Sequence, residues 1–297
     1  MNDILRNFLE SQSLSETKLS VWSLVVTIFG DAIAPRGGVL RLSALQQITD
    51  HIGTSNNALR TAMSRLASDG WLVRQRIGRA SFYSPSAMAN CENEAASRKI
   101  YHFFPNDWNK NWLFAISTDL EGFQLATRES LHFAGFAFQS RKLAIAPDFR
   151  IAGKEGPVFK AKGVSVFEAH SLGSNDIDEI LGNLIFHHDC TDLYHQFSVS
   201  AAKLAVELRT CGEISGLDAL VLRLLLLHQW RRIVLKDVCW SRDLRRSDWP
   251  GFPAQKLIRE LYHRLLEPSE IWLSQLDATP DGLLPPAEKS LQVRFMK

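Results

Sequence analysis

The residues with the clearest chemistry lie near the N-terminus, in a stretch that predicts a short helix. A helix over residues 56–67 would place small apolar side chains on one side and hydrogen-bonding side chains on the other. The hydrogen-bonding side contains Asn56, Asn57, Arg60, Thr61, Ser64 and Arg65. Arginine and asparagine match the edges of guanine and adenine in the major groove, whereas serine and threonine suit phosphates. This segment, which we call the recognition helix, therefore predicts contact with double-stranded DNA.

A second set of cationic residues follows the recognition helix and predicts a hairpin. Residues 72–76 and 80–83 have the composition of short strands and are separated by a glycine-containing turn. Arg74 and Arg76 share one face of the first strand because side chains alternate along a strand, and Arg79 lies at the tip. We expect these arginines to hold DNA phosphates or the minor groove.

The segment before the recognition helix predicts the elements that position it. Residues 43–46 (SALQ) have the pattern of a capping box, which opens a predicted helix running to about His51. Gly53 then supplies a turn, and the apolar residues 19–34 predict a longer helix that covers the pair. Helix, turn, helix and basic hairpin together predict a winged helix–turn–helix.

Two motifs lie far apart along the chain. The first motif is Ala58–Leu66 (ALRTAMSRL), then Gly70-Trp71-Leu72 and Arg76–Tyr83. The second is His228–Arg232 (HQWRR), then Asp237 and Trp249-Pro250-Gly251. In this order the two motifs resemble the PaaX family of bacterial repressors, which control phenylacetic acid degradation and related aromatic catabolism. The resemblance covers roughly residues 19–276. Val238–Arg246 differs from the Pro- and Leu-rich stretch of the family, which bears on the identity of the ligand.

This resemblance implies a winged-helix N-terminal domain, a central ferredoxin-like domain and a helical C-terminal domain. It also implies a homodimer that binds operator DNA and is released by an aryl-acyl-CoA, such as phenylacetyl-CoA in the founding members. Indole and guanidinium groups can hold an aromatic acyl group and the phosphates of a CoA. The candidate ligand-binding residues are Trp230, Arg231, Arg232 and Trp249, with Lys236 and Trp240 nearby in the sequence. Packing of the tryptophans in a core and solvation of the arginines explains the same residues equally well.

Apolar runs with turn residues between them divide this α+β multidomain chain into consecutive domains. Strand-like runs around a helical pattern predict a small α+β domain in the middle, and from residue 176 the patterns are helical. After residue 279 the chain is rich in proline, so we expect a loosely held tail. The predicted ranges are 1–85 (winged helix), 86–110 (connecting helix and linker), 111–174 (ferredoxin-like), 175–278 (helical, for dimerisation and ligand) and 279–297 (tail).

Composition limits the classes of protein that need to be considered. The net charge of +2 over 297 residues is too small to indicate nucleic-acid binding by itself, so the local arginine clusters carry that argument. The 4 cysteines lie far apart without a CxxC pair, which favours reduced thiols in the cytoplasm. The two most apolar segments, residues 21–29 and 217–227, are shorter than the ~20 residues of a membrane span. We therefore expect a cytoplasmic protein without a membrane partner.

Two alternatives from other classes stay open. Asp119 follows a predicted strand, at a place where the CRISPR-associated ferredoxin-like endonucleases that the middle domain resembles can bind a metal; this allows a metal-dependent nuclease. A winged helix can also serve as a protein-interaction module. His187, His188 and His195 resemble metal ligands, but such residues are common on helix surfaces. We therefore predict no metal site, no cofactor and no catalytic residue.

Overall fold

The computed structural model describes residues 3–13, 20–102, 108, 110–148, 162–170, 190–238, 240, 242–245 and 247–296. It shows a mixed α/β chain that divides into two compact units. The first unit contains residues 1–101, 195–231 and 251–297, and the second contains residues 102–194 and 232–250. Both units are therefore discontinuous in sequence, and the consecutive domain ranges stay a prediction.

The N-terminal part of the first unit is mainly helical, with a small sheet. Its helices are α1 (Asp3–Ser13), α2 (Val21–Ile28), α3 (Leu42–His51), α4 (Asn56–Ser68) and α5 (Ala87–Tyr101), and its strands are β1 (Leu40–Arg41), β2 (Leu72–Ile77) and β3 (Ala80–Pro85). A π-helical turn (Phe29–Ile33) and a 3-10 turn (Ala34–Arg36) extend α2. The predicted apolar helix over residues 19–34 thus exists, but it changes its hydrogen-bonding pattern after Ile28.

Helix α4 is the recognition helix, and it is amphipathic in the predicted sense. Its apolar face buries Leu59, Ala62, Met63 and Leu66. Burial of each larger side chain contributes about 1.5–3 kcal/mol, so this face fixes the orientation of the helix. The hydroxyl of Ser55 caps α4 by accepting a hydrogen bond from the amide of Ala58 at 3.3 Å.

The predicted capping box before α3 is wrong. Helix α3 begins at Leu42, and its N-cap residue is Arg41, which makes no side-chain capping bond. The physical reason is that strand β1 runs directly into the helix. Leu40 and Arg41 pair with Tyr83 and Phe82 of β3, so the helix begins at Leu42, two residues before the start that a cap at Ser43 predicts.

The hairpin formed by β2 and β3 is antiparallel, and the sheet has the strand order β1–β3–β2. Arg74 lies opposite Tyr83 and Arg76 lies opposite Ser81. The turn contains Gly78 at a φ of +58°, a left-handed conformation that favours glycine. This geometry brings Arg79 to the exposed tip.

Three long helices have most of their residues in the first unit: α7 (Thr191–Thr210), α8 (Gly216–Val234) and α9 (Gly251–Ser274). A small hairpin of β8 (Asp277–Thr279) and β9 (Gly282–Leu283) and a 3-10 turn (Lys289–Val293) follow. The expectation of a loosely held tail is wrong for its described residues. Leu284, Leu291 and Phe295 are buried, because apolar residues that lie between and after the prolines can still pack.

A buried charged network joins distant parts of the first unit. Oδ1 of Asp31 accepts hydrogen bonds from the hydroxyls of Tyr101 and Tyr262, each at 2.8 Å, and from Nη1 of Arg294 at 2.8 Å. Oδ2 of the same residue lies 3.2 Å from Nε of Arg223. Burial alone would lower the pKa of Arg223, but Asp31 and its other neighbours raise the pKa above its ordinary value.

The second unit is built on an antiparallel sheet with the order β5–β6–β4–β7. Its elements are β4 (Asn111–Ser117), α6 (Leu125–Phe133), β5 (Ala137–Phe138), β6 (Leu143–Pro147), β7 (Val164–His170) and a 3-10 turn (Arg242–Leu244). One core contains Leu113, Ala115, Phe123 and Leu131, and a separate core forms around Trp112 and Trp240. Residues 177–186, the first part of the region with helical patterns, lie outside the described residues.

Candidate nucleic-acid interface

The polar face of α4 is exposed along its length. All six predicted contact residues have exposed side chains: Asn56, Asn57, Arg60, Thr61, Ser64 and Arg65. Among the described residues, no carboxylate pairs with Arg60 or Arg65. Both guanidinium groups therefore present their donors to solvent, which is the state that a DNA-binding helix requires before it meets a groove.

Two local hydrogen bonds hold the first turn of this face. The hydroxyl of Thr61 donates to the carbonyl oxygen of Asn57 at 2.9 Å. Nε2 of Gln46, on α3, donates to Oδ1 of Asn56. The second bond fixes the orientation of the Asn56 amide, so Gln46 positions this side chain and does not act in the capping box that the sequence predicted.

The hairpin presents its arginines on a defined surface. Nη2 and Nε of Arg74 donate to the hydroxyl of Ser81 at 2.9 and 3.3 Å, and Nε of Arg76 donates to the carbonyl oxygen of Gly78 at 3.3 Å. Arg79 is exposed at the tip. Because each bonded arginine keeps further N–H donors, the hairpin retains the capacity to bind phosphates.

A cleft of about 540 Å³ separates α3 from the hairpin, and we call it the wing cleft. Its α3 side includes Arg41, Ser43 and Gln46, and its hairpin side includes Ile77, Arg79 and Ser81. Arg41 is a cationic residue of this surface that the sequence analysis missed. No periodic pattern identifies it, since β1 is only two residues long.

The residues of the C-terminal motif divide between the two units, with Trp230 and Arg231 in the first and Arg232 and Trp249 in the second. Trp230 is fully buried, and its indole N–H donates to the carbonyl oxygen of Ile100 at 3.0 Å. This indole packs in a core, as one of the two interpretations of the motif expected. Its ligand-binding role stays a prediction.

Arg231 contacts the N-terminal helices of its own unit. Its Nη1 donates to the hydroxyl of Ser23 at 3.2 Å, and burial lowers the pKa of Arg231. Two further polar contacts also join α8 to these helices. Nδ1 of His228 lies 3.1 Å from the hydroxyl of Thr27, and Oδ1 of Asp218 lies 2.7 Å from Nε2 of His51.

Trp249 lies in an aromatic and charged cluster of the second unit. Its ring meets the ring of Tyr194 edge to face with a centroid separation of 4.8 Å, and the guanidinium of Arg245 lies 4.5 Å from its ring centroid. Arg245 also pairs with Asp237 at 2.6 Å. Arg232, the remaining candidate ligand-binding residue, is half-buried. Of the two residues near the motif, Lys236 is exposed and Trp240 packs against Trp112 in the core.

Known proteins match the chain over both motifs. The family model described as PaaX-like protein matches residues 20–89, and the model described as PaaX-like protein C-terminal domain matches residues 187–275. Together the two models match more than half of the chain. The chain belongs to the PaaX family.

One curated PaaX relative matches nearly the whole chain. It is the Transcriptional repressor PaaX of Escherichia coli (strain K12), 28% identical over 281 residues, which is 92% of this chain and 89% of the relative. A solved structure, the uncharacterized protein Rv0674 from Mycobacterium tuberculosis, is similar with a TM-score of 0.52 at 20% identity. That match covers 86% of this chain and 99% of the other, and it shows a shared fold alone.

The residues considered for metal binding in this PaaX-family chain do not come together where the structure describes them. Oδ1 of Asp119 accepts a hydrogen bond from the amide of Glu121 at 3.1 Å, as a turn residue does. His187 and His188 lie outside the described residues, and His195 is exposed. Within the described ranges, no group of three or more His, Cys, Asp and Glu residues could hold a metal ion. Within the same ranges, no helix is both long and apolar enough to cross a bilayer.

Proposed function

We propose that the chain is a transcriptional repressor that binds operator DNA through a winged helix–turn–helix formed by α3, α4 and the β2–β3 hairpin. The observation that carries this proposal is the exposed face of α4, which is polar and cationic and has no paired acid among the described residues. The hairpin adds three more exposed arginines beside it. Membership in a family of regulators, rather than enzymes, supports the same reading and assigns no catalytic step.

In this proposal the two elements have different tasks. Helix α4 enters the major groove, where Arg60 and Arg65 donate to guanine edges and Asn56 and Asn57 bond to adenine edges. Thr61 and Ser64 contact phosphates at the groove edge. Arg74, Arg76 and Arg79 of the hairpin hold the adjacent backbone or minor groove and set the register without reading sequence.

Operator recognition by this chain requires a second copy. One recognition helix reads only a few base pairs, so a homodimer on two half-sites supplies the remaining specificity. We propose the helical C-terminal residues and α1 as the dimer surfaces. DNA binding also requires a cytoplasmic location, in agreement with the location expected from the sequence.

The effector is proposed to be an aryl-acyl-CoA bound through the C-terminal motif. Arg231 and Arg232 are the proposed partners of the CoA phosphates, and Trp249 is a proposed contact of the acyl group. An effector shifts an equilibrium only if it binds the two forms of the repressor with different affinity. The contact of Arg231 with Ser23 gives this motif a direct connection to the helix that packs on α4.

A mobility-shift assay with the DNA that precedes the chain's own gene tests the proposal. We expect a shift by the pure protein that survives an excess of unrelated duplex, and reversal of the shift by phenylacetyl-CoA but not by free phenylacetic acid. No shift at low salt contradicts the repressor and favours the protein-interaction module. Incubation of the same DNA with manganese provides the test against a nuclease: cutting that is lost in Asp119→Ala would overturn the proposal.

A further inference from the structure

The wing cleft contains an arginine that faces both a carboxylate and an aromatic ring. Nη1 of Arg41 lies 3.2 Å from Oδ2 of Asp277, which belongs to the C-terminal strand β8. The guanidinium carbon lies 5.3 Å from the ring centroid of Phe82, which is itself buried. Where the structure describes its surroundings, Nε of Arg41 finds no hydrogen-bond acceptor. The ring therefore holds the guanidinium in place, and because Nε is buried, a further ligand can reach only the N–H donors of the two Nη atoms.

The cleft is continuous with the proposed DNA interface on two sides. On its α3 side, Gln46 bonds to Asn56, the first residue of α4. On its hairpin side, Arg79 lines the same cleft as Arg41. The hairpin tip lines the cleft, and the first residue of α4 bonds to a residue that lines it, so a duplex bound to both surfaces would bring its backbone close to this cleft.

We infer that Arg41 is a phosphate-binding residue of the DNA interface, and that Asp277 is an internal competitor that occupies Arg41 until DNA binds. The inference rests on the proposed function, since it assigns a partner to a residue of the same surface. In the exchange, the Asp277 carboxylate leaves Nη1 of Arg41 and a DNA phosphate oxygen takes its place. No covalent bond changes.

The strength of the Arg41–Asp277 pair fits an exchangeable contact. Its side chains are 31% and 62% exposed, and ion pairs this exposed are weak and are screened by salt. A pair of this kind lowers DNA affinity by at most about fivefold. Duplex DNA offers one phosphate for about every 1.7 Å of axis, so its local density of negative charge exceeds that of a single carboxylate.

The chain offers a matched control pair elsewhere in the first unit. Nη2 of Arg209 lies 3.6 Å from Oε1 of Glu260, and these side chains are 61% and 47% exposed. Glu260→Gln therefore removes the same charge from the same kind of exposed pair as Asp277→Asn does. Arg209→Ala is likewise the control for Arg41→Ala. Any effect of net charge alone is equal in the two pairs. Because Arg209 and Glu260 lie in helices proposed for the dimer surface, each control variant is first shown by light scattering to keep the mass of the wild type.

The test is the salt dependence of binding to a fluorescein-labelled random-sequence duplex of about 30 base pairs, measured by anisotropy. Phosphate contacts do not depend on sequence, so the operator is not needed. Asp277→Asn is expected to bind about two- to fivefold more tightly than Glu260→Gln. Arg41→Ala is expected to lower the slope of log affinity against log salt by about 0.9, whereas Arg209→Ala leaves it unchanged. Adding Asp277→Asn to Arg41→Ala is expected to give no gain.

The outcomes test the inference about Arg41 and Asp277 separately from the proposed function. Equal affinity of Asp277→Asn and Glu260→Gln, or an unchanged slope for Arg41→Ala, overturns the inference while leaving the proposed function intact. If the wild-type chain does not bind the duplex at low salt, both the inference and the proposed function are contradicted. If Arg41→Ala unfolds, as judged by its circular dichroism, Arg41→Gln replaces it, and the comparison of the two acid variants stands without either.

Discussion

Nε of Arg223 lies 3.2 Å from Oδ2 of Asp31, and both side chains are fully excluded from solvent. Asp31 lies in the π-helical turn after α2, and Arg223 lies in the middle of α8, so the pair joins the N-terminal helical segment to the C-terminal helices of the first unit. Nη1 of Arg223 also meets Oε1 of Glu270 at 2.9 Å. A buried charge is tolerated only with partners of this kind, so we expect the loss of one partner to destabilise the first unit.

Asp31→Asn is expected to destabilise the protein strongly. The substitution keeps the shape of the side chain but removes the negative charge beside Arg223 and Arg294, and an uncompensated buried charge costs about 3–5 kcal/mol. Asp281→Asn makes the same chemical change at an exposed turn and should lie within about 0.5 kcal/mol of the wild type. Urea unfolding measures both, and equal free energies of unfolding would rule out a stabilising network.

Stability should fall at alkaline pH because of Tyr262. Burial raises the pKa of this hydroxyl well above its ordinary value, as it does for Tyr101. Above about pH 10 the unfolded chain loses the tyrosine proton while the folded chain keeps it, so the free energy of unfolding falls by up to about 1.4 kcal/mol per pH unit. Tyr262→Phe should make this fall shallower between about pH 9 and pH 11. An unchanged slope would contradict the prediction, whatever the offset in stability.

The recognition helix and hairpin were predictable because their signals are local. The spacing of Leu59, Met63 and Leu66 gave α4, and the glycines at positions 70 and 78 fit the ends of the helix and hairpin. The same patterns put the start of α3 two residues too late, because they carry no information about the pairing of β1 with β3.

The buried network and the packed tail were beyond the reach of the sequence patterns. Asp31, Arg223 and Arg294 are far apart along the chain, and each alone resembles a solvated charge. Only the folded chain shows that Arg294 reaches Asp31 and that Phe295 packs on Tyr101. The proline content of the tail is visible in the sequence, but it does not predict the burial of Leu284 and Leu291, which depends on long-range contacts.

Arg79→Ala should weaken binding to every duplex by a similar factor. Arg79 lies at the hairpin tip, where a guanidinium meets phosphate or the minor groove rather than a unique base pattern. The loss of one phosphate contact lowers the slope of log affinity against log salt by about 0.9. Parallel salt titrations on operator and random duplex measure this. A loss confined to the operator would show that Arg79 reads a base.

The effector prediction concerns Arg231 and Arg232. A repressor with both replaced by alanine should still bind DNA but should need far more phenylacetyl-CoA for release, since the CoA phosphates lose their cationic partners. Titration of the preformed complex measures the release. Ser23→Ala is the control for the loss of the Arg231–Ser23 bond alone. Release that survives the double substitution would move the effector site elsewhere in the chain.

The central claim is that α4 reads DNA sequence, and the most direct measurement compares operator affinity with and without the Arg60 side chain. Fluorescence anisotropy on operator and random duplexes would be recorded for wild type, Arg60→Ala and the control Arg141→Ala, which replaces an exposed arginine of the second unit. We predict that Arg60→Ala loses about 1–3 kcal/mol on the operator and much less on random duplex, while the control binds as wild type does. Equal operator binding by Arg60→Ala and wild type would contradict the account.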